Sequence, residues 1–450
     1  MTHLQSGDCA PPMSASAVQA NSNQLSPIRE LFRDRRIGAM LGLGFSSGMP
    51  FLLVYGTQSA WLSEAHVPLH ILSLLSEMTL AYKLKFLWAP FLDRYDPPLL
   101  GRLLGRRRGW IVAAQLGIGA TLTGIALGDP ENRLWWAVLF SMALGFAGAT
   151  QDVVIDGWRI AAAPVERQAL MSSWSEVGWR FGTLVSGAGA LYLADAFGWR
   201  AAYLLMACAM VPGLVSAWVA PEPLRDASHP APRGGISETI VAPIRDLVAR
   251  LGPVAMPVLL LVAGFRMPGY LSYAMAVPLF KVLHYSNSDI ATVTKLFGFP
   301  VGLAGTFTAT WVVKRIGLMP SLIAGTVFAS ASHLALAYLA AHGDHGGGEF
   351  WLFATTVSID DFAYSFAAII LITYMSALSS SAFAATQYAL LTSLCAFPGS
   401  LLAGFSGYVI ERMGFTGFFV ATSLIGVPVA IVALWVWRHH ALEQAAAAKS

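Results

Sequence analysis

At 450 residues, 56% hydrophobic and only 12% charged, with a mean hydropathy of +0.60, the chain is too apolar and too charge-poor for a soluble globular protein. Its net charge of +3 comes with no basic cluster interleaved with aromatics, so a nucleic-acid partner is excluded. Three cysteines, Cys9, Cys208 and Cys395, lack metal-ligand spacing, so neither a metal, a cofactor nor a disulfide framework is called for.

Residues 1–27 are small and polar, with neither a basic n-region nor an apolar h-region. They predict a disordered tail, reaching to residue 36, and leave insertion to the first spanning helix. Apolar stretches of about 20 residues, the length that crosses a bilayer, then fall near 37–62, 69–92, 110–128, 134–157, 169–194 and 201–220. After a polar connector at 221–253 they resume near 254–283, 288–313, 319–341, 350–378, 383–410 and 416–437, and a tail of 438–450 follows. The prediction is an all-α polytopic membrane protein with twelve transmembrane helices, six in an N-terminal bundle (37–220) and six in a C-terminal bundle (254–437).

With both termini inside, the cytoplasmic parts hold nineteen of the 28 Lys and Arg and the opposite loops only four, the positive-inside bias that puts both termini in the cytoplasm. The connector opens as Pro-rich coil. It then spaces Ile240, Ile244, Leu247, Val248 and Leu251 for a surface helix. Internal similarity joins the halves: ALMSS from Ala169 lines up with ALLTS from Ala389, and Ser186-Gly187 with Ser406-Gly407, at one offset of 220, while FGWRAAY from Phe197 pairs with MGFTGFF from Met413. Such repeats in corresponding helices are the expected architecture of the major facilitator fold.

Charged residues inside spans are costly and mark function. One pair of neighbouring spans carries Gln151, Asp152 and Asp156, then Glu176 and Arg180; each four-residue spacing puts two polar groups on one helix face. Counted from the segment edges, Arg180, Arg266, Asp360 and Asp361 lie near mid-depth, where transporter sites sit. Arg180 and Arg266 suit a carboxylate ligand, with Lys295 as a further candidate substrate contact and structural pairing of Arg180 to Glu176 as the alternative. Asp360 and Asp361 point about 100° apart, so one can face a cavity while the other pairs elsewhere. Either is a candidate proton carrier unless Arg266 or Lys295 holds it in a salt bridge, and Glu176 is a third candidate. Asp152 and Asp156, nearer the inner end, are expected to form a gate with Arg94 or the Arg106–Arg107 cluster. Gln151 is a candidate sugar ligand, Trp179 a candidate stacking surface, and Lys85 a residue that can simply snorkel. The loop DRYDPPLLGRLLGRRRGW, from Asp93 to Trp110, resembles the major facilitator loop signature whose charges latch the inward gate.

The segments FSSGMPFLLVYGTQSAWL (45–62), LAYKLKFLWAPFLDRYDPP (80–98), GRRRGW (105–110), TQDVVIDGWR (150–159), GWRFGTLVSG (178–187), VTKLFG (293–298) and ATQYALL (385–391) together resemble the AmpG family of muropeptide permeases. The resemblance implies a proton-driven inner-membrane importer of an anionic sugar-peptide, N-acetylglucosaminyl-anhydro-N-acetylmuramic acid with or without peptide, for cell-wall recycling; a monomer is expected. It also places the proton on Asp360, because the family pattern has an acid there and more often an amide at the next position. Glu77, Lys83 and Glu176 depart from the pattern, and relatives that carry acetyl-coenzyme A or siderophores keep another anionic solute as the alternative. A membrane-embedded acyltransferase is disfavoured by the lack of HExxH, GxSxG or a catalytic His cluster, and an ATP-driven pump by the lack of a GxxxxGK[ST] loop.

Overall fold

The computed structural model describes residues 27–447 apart from 55, 66, 68–79, 131, 224–235 and 344–348. Cys9, Glu77 and most of the N-terminal tail lie outside the described residues. Within them every regular element is helical, beginning with a short helix, Pro27–Arg33, inside the stretch expected as tail. The first pass is Arg35–Val54 with Gly56–Glu64, the second ends in Ala89–Arg94, the third is Arg106–Ala126 and the fourth Leu134–Ala162. The fifth runs from Val165–Leu184 through Val185–Gly189 to Ala190–Phe197, and the sixth is Trp199–Cys208 with Val211–Val219. A connector helix, Ile236–Leu251, leads to the seventh pass, Ala255–Phe265 with Met267–Val282. The eighth ends in Gly298–Ile316, the ninth is Leu318–His342, the tenth Phe350–Leu378, and the eleventh starts at Ala384–Ala403. The last helix, Ser406–Ala447, is kinked at Gly414, which separates the end of the eleventh pass from the twelfth.

Among the described residues nine helical stretches are long and apolar enough to cross a membrane. The second, fifth and eleventh passes are not among them, and each has a reason. The second begins in residues outside those described. The fifth carries Glu176 and Arg180, and the eleventh buries Thr386, Gln387 and Ser393. Polar groups are tolerated in a spanning helix where other helices, not lipid, surround them. The contacts between halves run through these same helices: the fifth meets the eighth and tenth, and the eleventh meets the second and fourth.

The internal repeat is visible in the backbone. Gly105, Gly198, Gly317 and Gly414 precede the third, sixth, ninth and twelfth passes with φ of 85°, 82°, 85° and 71° and ψ of 173°, 159°, 170° and 171°. That region of backbone space is open essentially to glycine alone. The same corner therefore recurs before every third helix, as expected of a fold built from three-helix repeats nested in six-helix halves.

The two halves touch at the end that carries the connector helix. There the buried cluster of Ile37, Met40, Leu43, Trp158 and Met171 extends onto Ala385 and Ala389 of the eleventh pass. On the connector helix Leu247 and Leu251 are buried, whereas Ile240, Val241, Ile244 and Val248 are exposed. The structure is thus closed at this connector face.

Candidate functional site

Midway along the passes, charges from both halves converge. Arg180 donates from Nε to Glu176 Oε1 at 3.1 Å and from Nη2 to the Ser365 hydroxyl of the tenth pass at 2.8 Å. The i,i+4 pairing is therefore present, and the same guanidinium bridges the halves. Gly298 and Gly302, one turn apart on the eighth pass, admit these groups. A Cβ on Gly302 would stand 2.5 Å from the Arg180 guanidinium, and one on Gly298 would stand 2.3 Å from Asp361 Oδ2. Just before them the helix widens into a π-turn, Thr292–Phe297, a feature frequent at functional sites. Lys295 sits on that turn, and its charge, with that of Arg180, acts on Asp361.

The adjacent tenth-pass acids face apart, as 100° of helical rotation requires. Asp361 is on the side of the eighth and fifth passes. Asp360 turns to the ninth, accepting from the Ser332 hydroxyl at 2.7 Å with His333 Nε2 at 3.9 Å. The acid that meets the charge of Arg180 from the other half is thus Asp361, whereas the family pattern points to Asp360.

Arg266 occupies the break in the seventh pass, where Pro268 follows within the first turn of Met267–Val282. Its guanidinium lies 4.8 Å from the centre of the Tyr364 ring and 5.7 Å from that of Tyr270. Such cation–π contacts stabilise a partly desolvated charge by up to about 2 kcal/mol. Among the described residues no carboxylate forms an ion pair with it. Trp179, one residue before Arg180, is exposed.

In the N-terminal half, Asp152 does not join the gate expected for it. Its Oδ1 accepts from the Ser47 hydroxyl of the first pass at 2.5 Å, and the cation acting on it is the buried Lys85 of the second. Gln151 is fully buried with both amide atoms unpaired among the described residues. Asp156 pairs instead with Arg159 at 3.2 Å.

The connector face is latched by two sets of contacts. Asp93 meets Arg107 at 3.6 Å and accepts from the backbone N–H and hydroxyl of Thr386, both at 2.7 Å, at the start of the eleventh pass. Arg106 donates to the Asp93 carbonyl, Arg107 to the Ser381 carbonyl at 2.9 Å, and Arg94 to Thr239 of the connector helix. The second set centres on Arg159, which is fully buried. It donates to Gln168 at 2.7 Å, Ser172 at 3.1 Å and Ser376 of the tenth pass at 2.9 Å, and lies 5.1 Å from the Tyr388 ring centre. Sequence reasoning counts Arg159 only as a loop charge; its i,i+3 spacing from Asp156 is the signal that could have singled it out.

Two repeated halves, charges at mid-depth between them and polar latches at one end define a membrane transporter. The chain belongs to the Major Facilitator Superfamily, whose family profile matches residues 38–404. It is 28% identical over 406 residues to the anhydromuropeptide permease of Escherichia coli K12, covering 90% of this chain and 80% of that one. It is also 28% identical over 413 residues to the putative transporter AmpG 4 of Rickettsia conorii, covering 91% of this chain and 98% of the relative. Among solved structures, the human organic anion transporter MFSD10 aligns with a TM-score of 0.60 at 15% identity, covering 91% of this chain and all of that one. The proton:xylose symporter XylE aligns at 0.59 and 14%, covering 92% and 96%. At those identities the two structures show the fold alone.

Proposed function

We propose that this chain is a proton-driven importer of anhydromuropeptides across the bacterial inner membrane, a carrier and not an enzyme, with its connector face in the cytoplasm. Its likeness to the anhydromuropeptide permease, spread over 90% of the chain, carries this reading. The site agrees with it chemically. Arg266 is a guanidinium near mid-membrane that faces tyrosine rings instead of an acid, so a carboxylate of the stem peptide would supply its missing charge. Arg180 is already neutralised by Glu176 and serves better as a bridge between halves. Asp361, under the charge of Arg180 from the other half and of Lys295 from its own, is the acid this reading assigns to proton exchange as the halves rock apart. Asp93, Arg106, Arg107 and Arg159 hold the inward gate shut.

Uptake of labelled N-acetylglucosaminyl-anhydro-N-acetylmuramyl tripeptide into vesicles under an imposed pH gradient tests the proposal, with acetyl-coenzyme A and a siderophore as competitors. Uptake that follows the gradient and resists both competitors is expected. Uptake of a competitor in place of the muropeptide would move the chain to another anionic solute.

A further inference from the structure

A second polar cluster lies wholly inside the N-terminal half, on three helices. Ser47 stands twelve residues beyond the start of the first pass, Tyr82 twelve before the end of the second, and Asp152 ten before the end of the fourth. At 1.5 Å per residue all three lie roughly 15–18 Å from the connector face. Lys85 and Gln151 belong to the same layer. A lysine and a carboxylate make the cluster neutral overall, unlike the Arg266 site.

Its hydrogen-bonding capacity is largely unspent. The Tyr82 hydroxyl is buried without a partner among the described residues, and so are both amide atoms of Gln151. The Tyr82 hydroxyl rests against Gly148, where a Cβ would stand 2.3 Å away, while its ring is held edge-on by Phe51 with centroids 5.7 Å apart. Buried polar groups in a membrane are ordinarily paired, since leaving them unpaired is costly. Here three side chains from two helices offer donors and acceptors at one level, with Tyr82 against Gly148, and Gln151 and Asp152 three and four residues further on: the amide gives both, the phenol both, and Asp152 accepts. A net-neutral set of mixed donors and acceptors fits hydroxyl and acetamido groups better than it fits an anion.

We infer that this cluster is a saccharide subsite for an N-acetylated amino sugar, so that the substrate lies across the molecule with its sugars on Tyr82, Gln151 and Asp152 and a peptide carboxylate on Arg266. The assignment rests on the proposed transport of a sugar-peptide. It divides recognition between the halves: the N-terminal half reads the glycan and the C-terminal half the charge. Rocking of the halves then changes the fit at both ends of one ligand at once.

The test measures binding to the purified full chain of three probes: the disaccharide-tripeptide, the neutral disaccharide chitobiose, and the free stem tripeptide. Tyr82→Phe and Gln151→Leu should each weaken chitobiose and the disaccharide-tripeptide by about tenfold, the scale of one lost hydrogen bond, and leave the tripeptide unchanged. The ligand-free unfolding temperature should hold or rise, because each variant removes a buried group that has no partner among the described residues. Arg266→Gln should give the mirror image, losing the tripeptide and sparing chitobiose. Unchanged disaccharide-tripeptide affinity in both Tyr82→Phe and Gln151→Leu, or equal loss for the tripeptide, would overturn the subsite while leaving the transport proposal standing. A wild-type chain that binds chitobiose but no muropeptide would keep the subsite and overturn the transport proposal; one that binds neither would overturn both.

Discussion

Arg159 on the fourth pass donates to the Ser376 hydroxyl on the tenth at 2.9 Å, a hydrogen bond from a fully buried guanidinium that crosses from one half to the other. A bond to a charged group contributes about 1.5–3 kcal/mol when buried. Because Arg159 keeps Gln168, Ser172 and Asp156 within its own half and the Tyr388 ring across the interface, Ser376→Ala should remove only the crossing hydrogen bond. The population open at the connector face should rise about tenfold or more. Distances between spin labels on the connector-face ends of the fourth and tenth passes would report it, and an unchanged distribution would exclude Arg159 as a latch.

Asp93 makes the companion prediction. Its carboxylate caps the eleventh pass from across the interface, accepting from the backbone N–H groups of Ala385 at 3.3 Å and Thr386 at 2.7 Å. An anion at a helix N-terminus is favoured both by the exposed N–H groups and by the helix dipole. Asp93→Ala should loosen the connector face more than Asp93→Asn, since the amide keeps an acceptor and loses only the charge. Labelling of a cysteine placed at Ala385, now buried, should speed up in that order. Transport should slow while substrate binding survives.

Much of this molecule is legible in the sequence, and the boundary is instructive. Spans, connector and repeats follow from hydropathy and from the 220-residue offset, because lipid imposes one requirement along the whole length of a helix. The Arg180–Glu176 pair follows from i,i+4 spacing on one helix. Partners on different helices do not follow. Nothing in the string IDGWRI says that Arg159 will meet Ser376, or that Asp152 will turn to Ser47 instead of the Arg106 cluster. Those outcomes depend on how each helix is rotated about its axis, and a rotation of 100° separates the surroundings of Asp360 from those of Asp361.

The orientation proposed from the charge bias is open to direct labelling. In a chain stripped of Cys9, Cys208 and Cys395, a cysteine replacing Arg245 on the connector helix should react with an impermeant reagent only after the membrane is opened. One replacing Arg133, at the opposite end of the fourth pass, should react in intact cells. Reversed reactivity would turn the whole transporter over, and import with it.

Coupling gives the last prediction. An anionic sugar-peptide moving inward works against an inside-negative potential by about 2.3 kcal/mol per charge per 100 mV. Protons must enter with it in excess of its charge if the potential is to help, so some acid has to be protonated from one side and released to the other. Of the two tenth-pass acids, Asp361 lies on the inter-half side and feels the charge of Arg180, which moves relative to it when the halves separate, besides those of Asp360 and Lys295 in its own half. Asp360 is bonded to Ser332 and faces His333, both on the ninth pass of its own half, so its surroundings change less during rocking. Asp361→Asn should therefore abolish uptake driven by a pH gradient yet retain exchange of labelled for unlabelled substrate, which needs no net proton release. Asp360→Asn should slow uptake only a few-fold. The opposite ranking would place the proton between the ninth and tenth passes, and His333→Gln should then reproduce the loss.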